Sequence, residues 1–127
     1  MYKRIVLAYD GSEPGQRALL DCQEIGQWSQ ATLHLVAVMP LPVTAVATEN
    51  FIYPPEAEAA DRAKHQAVLD SGLDRLRDSG LTVTGEVVVG QAVDEITRVA
   101  QDRKADLIIV GHKHVDGWAQ RWWRGSV

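Results

Sequence analysis

The chain has little sulfur chemistry to offer. One cysteine among 127 residues, Cys22, excludes an intramolecular disulfide and suits a reducing compartment. It falls inside a helical pattern, where a lone cysteine serves as a small buried apolar residue. No apolar run approaches the roughly 20 residues that span a bilayer, and no signal-peptide pattern precedes the first strand-like segment. A cytoplasmic location with no membrane partner is expected. A basic excess is missing too. The formal net charge is −4, whereas a dedicated nucleic-acid binder shows a basic stripe, so nucleic acid is not an expected partner. Internal repeats, low-complexity tracts and composition breaks are absent, so residues 1–127 read as a single domain long enough to bury a core.

What is present is an alternation of short apolar runs with helical patterns. Tyr2 to Tyr9 carries the continuous run Ile5-Val6-Leu7-Ala8, the mark of a strand covered on both faces. Asp10-Gly11-Ser12-Glu13-Pro14 follows, with Gly11 for a tight turn, Ser12 as a helix cap and Pro14 for a first helical turn. Ala18, Leu19, Cys22, Ile25 and Trp28 then recur at helical steps.

Thr32 to Met39 reads as a second strand, ended by Pro40 and Pro42. Residues 40–55 read as a loop, either a binding edge or an ordinary connection. Glu56 to Ser79 reads as a long helix with Ala60, Ala63, Ala67, Leu69, Leu73 and Leu76 on its buried side. Leu81 to Val89 is a third strand, with Gly85 as a bulge candidate. A helix with Val93, Ile96, Val99 and Ala100 inward leads to a fourth strand, Asp106 to Val110. The order predicts a doubly wound, open parallel α/β sheet with helices on both faces.

Function in such a sheet gathers at the loops leaving the strands' carboxyl ends, and strands one and four are expected to be neighbours there. That would bring Asp10, Gly11 and Ser12 near the stretch from Gly111 to Ser126. Gly111 and Gly125 can let backbone N–H groups approach a phosphate, and Ser126 can donate a hydroxyl. The segment also collects Lys113, Arg121 and Arg124 against Asp116 alone. Asp10 has two readings, an Asx turn into the helix and a ligand for a ribose hydroxyl or Mg²⁺.

No cysteine and no further histidine clusters with His112 and His114, so no metal site is expected. His34 and His65 read as packing and surface residues. Three of the four tryptophans, Trp118, Trp122 and Trp123, fall in the last ten residues. On a helix Trp118 and Trp122 would share a face, for packing or for a partner.

Four segments in this order resemble the universal stress protein family: Ile5-Val-Leu-Ala-Tyr-Asp-Gly-Ser12, Leu35-Val-Ala-Val-Met-Pro40, Val89-Gly-Gln-Ala-Val-Asp-Glu-Ile96, and Ala105-Asp-Leu-Ile-Ile-Val-Gly111 with Gly125-Ser126. The resemblance implies a five-stranded Rossmann-like α/β sheet and a homodimer. It also implies one of two branches, one binding ATP or a related adenine nucleotide and the other not. In the first branch a closing motif runs glycine, two residues, glycine, nine residues, glycine, then Ser or Thr. Here Gly111 matches, His114 replaces the second glycine, and ten residues precede Gly125-Ser126.

The positions the family carries over are Asp10 for ribose or metal, with Gly11 and Ser12 beside it. Val38 takes the adenine edge, and Gly111, Gly125 and Ser126 take phosphate, with His112 and His114 in the altered loop. Members continue past the Gly-Ser into a helix and a final strand, which this chain is expected to lack. The leading expectation is a non-catalytic, stress-responsive module that binds ATP with Mg²⁺ and an unidentified protein partner. The alternative is a dimeric interaction protein without nucleotide. No catalytic residue is expected, although slow ATPase activity belongs to the third class considered.

Overall fold

The computed structural model describes residues 2–40, 54–111 and 120–124, the last stretch as backbone. The elements are β1 (Arg4–Ala8), α1 (Glu13–Ser29), β2 (Thr32–Met39), α2 (Pro55–Asp78), β3 (Val83–Val89), α3 (Ala92–Asp102), β4 (Leu107–Gly111) and β5 (Gln120–Arg124). The sheet order is β3-β2-β1-β4-β5. β1 to β4 are mutually parallel, as the alternation of strands and helices predicts.

β5 corrects the expectation of a wholly parallel sheet. It pairs antiparallel to β4, with Gly111 opposite Gln120 and Leu107 opposite Arg124. Only residues 112–119 separate the two strands, whereas a parallel return needs a crossover of roughly a dozen residues or more. The short connection leaves the antiparallel pairing as the available one. It also removes the helical pairing of Trp118 with Trp122, because Gln120–Arg124 is strand and Trp118 lies outside the described residues. β5 precedes Gly125, so it is not the strand that the family places after the Gly-Ser.

Alternation along each strand sends residues to two different layers. Ile5, Leu7, Leu33, Leu35, Val83, Leu107 and Ile109 face α1 and α2 and meet Leu19, Cys22, Leu69, Leu73 and Leu76. Val6, Val36, Val88 and Ile108 face the other way, onto Val99 and Ala100 of α3. Burying each such Leu or Ile contributes on the order of 1.5–3 kcal/mol before entropy is counted. The expected turn chemistry is in place at α1. Ser12 Oγ accepts from Gly15 N–H at 3.1 Å, Pro14 sits in the first turn, and Gln30 ends the helix at φ 55°.

Several burial expectations fail. Buried positions along α1 run 15, 18, 19, 22, 26 and 29, and Trp28 lies off that arc at 69% exposure. Val93, in the first turn of α3, is 67% exposed. Gly85 is not a bulge, because β2 and β3 keep register across it, with Leu35 opposite Gly85 and Val36 opposite Glu86. In α2 the alanines at 60, 63 and 67 are exposed, and burial begins at Leu69. Length explains this last case. A helix of 24 residues runs about 36 Å, while the eight residues of β2 span about 26 Å. The amino-terminal part of α2 therefore projects beyond the carboxyl edge of the sheet, and that overhang shapes the candidate site.

Candidate functional site

The sheet reverses its winding at β1, which has β2 on one side and β4 on the other. The expected adjacency of strands one and four is thus present, and the crevice outside their carboxyl ends is where ligands of open α/β sheets bind. A cleft of about 120 Å³ lies at this edge. Tyr9, Asp10 and Val38 form its floor, and Lys64, His65 and Val68 of the α2 overhang form its wall.

Asp10 is exposed and lies two residues past the end of β1. Its Oδ1 accepts from Ser12 N–H at 2.9 Å and from the Ser12 hydroxyl. The Asx-turn reading therefore holds, and one carboxylate oxygen is committed to the turn. Gly11 sits at φ 76°, and a Cβ there would come within 2.9 Å of Val68 Cγ1. The glycine lets the β1–α1 turn close against α2. Val38 is half-buried on β2, opposite Val88 of β3.

Lys64 and His65 were missed as site residues, since an Ala- and charge-rich helix does not announce which of its turns overhangs a sheet. His65 Nδ1 lies 2.8 Å from the Asp61 carbonyl, which only accepts. Nδ1 is therefore the protonated nitrogen, and in the neutral ring Nε2 is an acceptor. The lining of the cleft thus combines two valines, Val38 and Val68, with a carboxylate suited to sugar hydroxyls and a lysine ammonium suited to a phosphate.

Gly111, the first glycine of the closing motif, ends β4. A Cβ there would approach the Pro14 carbonyl oxygen to 2.5 Å and Ala18 Cβ to 2.6 Å. The absence of a side chain is required by the seating of α1 over the end of β4, whatever else the glycine does. Among the predicted phosphate contacts, His112, His114, Gly125 and Ser126 lie outside the described residues, as does Lys113. Arg121 and Arg124 fall in β5. Arg124 stands opposite Leu107 at the amino end of β4, a strand's length from Gly111. Among the described residues no group of three or more His, Cys, Asp or Glu side chains could hold a metal ion. No described helix is long and apolar enough to cross a membrane.

A parallel sheet that reverses at β1, with a mixed polar and apolar cleft at the reversal, places this chain among the doubly wound α/β domains of the nucleotide-fold type. Comparison with known proteins narrows the class. The chain belongs to the universal stress protein family, whose sequence model matches residues 1–127.

Universal stress protein YxiE of Bacillus subtilis (strain 168) is 24% identical over 123 residues, which is 92% of this chain and 83% of that protein. A crystal structure from the same family in Burkholderia pseudomallei is similar at a TM-score of 0.75. It is 26% identical, covering 87% of this chain and 82% of that one. A universal stress protein solved in complex with cAMP is 27% identical at a TM-score of 0.65, covering 87% of this chain and 76% of that one.

Proposed function

We propose that this protein is a regulatory module that binds an adenine nucleotide, such as ATP with Mg²⁺, in the cleft at the carboxyl ends of β1 and β2. The observation that carries the reading is the cleft itself, whose lining brings Val38 and Val68 together with Asp10 and Lys64. An adenine ring lies against the valines, the ribose hydroxyls reach Asp10, and the Lys64 ammonium offsets phosphate charge. The relative solved with cAMP supports the ligand class. A binding role, without turnover, is favoured by the commitment of Asp10 and Ser12 to each other and to the cap of α1. With that carboxylate oxygen and that hydroxyl engaged in the turn, neither is poised as a base or nucleophile. Mg²⁺ would reach the site through the nucleotide phosphates and the remaining oxygen of Asp10.

Isothermal titration with ATP and Mg²⁺, AMP and adenosine tests this. All three should bind, the phosphorylated ligands more tightly, and Val38→Arg should weaken each at least tenfold. Lys64→Ala should narrow the advantage of AMP over adenosine. Absence of heat for every ligand at millimolar concentration would sink the proposal.

A second reading has its own observation. The β4–β5 pairing carries residues 120–124 away from the Gly111 end of the sheet, where the nucleotide-binding branch closes its phosphate loop. This favours a dimeric interaction protein that works without nucleotide. A nucleotide co-purifying with the protein, seen by mass spectrometry, would count against it.

A further inference from the structure

A second cavity, about 270 Å³, lies at the opposite end of the sheet from the nucleotide cleft. It opens on the α3 layer at the amino ends of β1, β2 and β3. Arg4, Thr32, His34, Thr82, Thr84 and Arg103 line it. α3 covers Val6, Val36, Val88 and Ile108 through Val99 and Ala100, and then ends at Asp102. Arg103 is its cap, and Lys104 turns the chain back toward β4 at φ 55°. The strand starts beyond that turn lie in front of the cavity instead of under the helix.

Its inner wall is a closed polar ring. His34 is 4% exposed on the central strand β2. Its Nε2 lies 2.7 Å from Glu86 Oε2 and its Nδ1 lies 2.7 Å from Thr84 Oγ1. The carboxylate only accepts, so Nε2 carries the proton, and the neutral ring accepts from the Thr84 hydroxyl at Nδ1. Arg103 completes the circuit, donating to Thr84 Oγ1 at 3.5 Å and standing 4.0 Å from Glu86.

Packing does not require this arrangement. A valine at position 34 would extend the Val6–Val36–Val88 layer without desolvating a polar ring. What the ring does accomplish is to hold the Arg103 guanidinium at the cavity. Glu86 stands beside Arg103, and the Asp106 carboxylate accepts from the Arg4 backbone N–H at 3.1 Å, so the two arginines share the lining with threonine hydroxyls and the apolar Ile5, Val6 and Leu33. Among the described residues no acidic side chain is part of the lining itself.

We propose that this cavity binds a small phosphate-bearing ligand between the guanidiniums of Arg4 and Arg103. The planar forks of two arginines match the oxygens of a phosphate, which a point charge would not orient. Thr32 and Thr82 add hydroxyls to the rim. The volume leaves room for more than the phosphate itself, so a phosphate monoester is expected to bind more tightly than the free ion. The site is independent of the nucleotide reading. It sits at the other end of the strands and uses none of its residues.

The test is amide NMR of the ¹⁵N-labelled protein, titrated in separate arms with inorganic phosphate and with glucose 6-phosphate. Signals of Thr32, Thr84 and Arg103 should move saturably, while those of Asp10, Gly11, Ser12 and Val38 stay in place. The Arg4→Gln/Arg103→Gln double variant should keep the remaining spectrum and weaken binding at least tenfold. Saturation by free phosphate alone would also support the site and identify the ion as its ligand. Shifts confined to the Asp10–Val38 end would overturn the proposal, as would unchanged affinity in the double variant. Shifts that follow protein concentration instead of phosphate would make the cavity an interface between copies and overturn it as well.

Discussion

The two faces of the sheet are built from the same strands and have different chemistry. On one face two helices seal an apolar layer in which Leu7, Leu35, Leu76 and Ile109 are fully buried. On the other face one helix covers the middle of the sheet, and neighbouring positions carry the His34–Thr84–Glu86–Arg103 ring. Adjacent residues of β2 make the contrast directly: Leu35 and His34 are both buried, one among aliphatic side chains and the other between two polar partners. The difference shows how a thin domain divides its work. The doubly covered face supplies the stability that lets the other face spend buried volume on polar groups.

Paired substitutions test that division, and the largest effect is expected on the sealed face. Leu35→Ala should cost about 2–5 kcal/mol in urea unfolding, because the lost transfer energy is joined by a cavity that α2 cannot collapse into. His34→Val should stay within about 1 kcal/mol of the parent at neutral pH, since the abandoned Glu86 and Thr84 side chains regain access to water. Equal losses would erase the distinction between the faces.

The next effect in size lies where α1 meets β4. Gly111→Ala should destabilise the ligand-free protein by about 1–3 kcal/mol, because the new methyl runs into the Pro14 carbonyl and Ala18. Were Gly111 needed only for a phosphate, the ligand-free protein would not notice the change.

The smallest effect is electrostatic. Burial, opposed by the bond to Glu86, holds His34 below its ordinary value of 6.5. The unfolded chain therefore takes up a proton first as the pH falls. Stability is complete above about 6.5 and declines below it until the folded ring protonates in turn. Unfolding curves collected between neutral and mildly acid pH should show that decline, and His34→Val should remove this part of it. A slope unchanged by the substitution would assign the pH dependence to other groups.

The legible parts of the sequence were those governed by local rules. The run Ile5 to Ala8 and the segment Thr32 to Met39 announce buried parallel strands, and Ser12 with Pro14 announces the start of α1. The doubly wound order of elements correctly anticipated strands one and four side by side, and the family resemblance a Rossmann-like sheet. Trp122 and Trp123 carried a β-propensity signal that helical spacing from Trp118 obscured. His34 looked like a packing residue because its partners lie on β3, about fifty positions away along the chain. Lys64 and His65 were hidden by the ordinary composition of α2, and only the mismatch between helix and strand lengths turns them toward Asp10 and Val38.

Between Arg4 and Gly111, periodicity and turn chemistry thus settled which segments are strands and helices and which edge of the sheet carries the β1 turn, since both depend on residues within a few positions of one another. Tertiary structure decided the rest. It seated α1 on Gly111, let α2 overhang the cleft, turned β5 antiparallel and closed the polar ring around His34. Each of these depends on strand register, element length or connection length, which bring together residues that no local pattern relates.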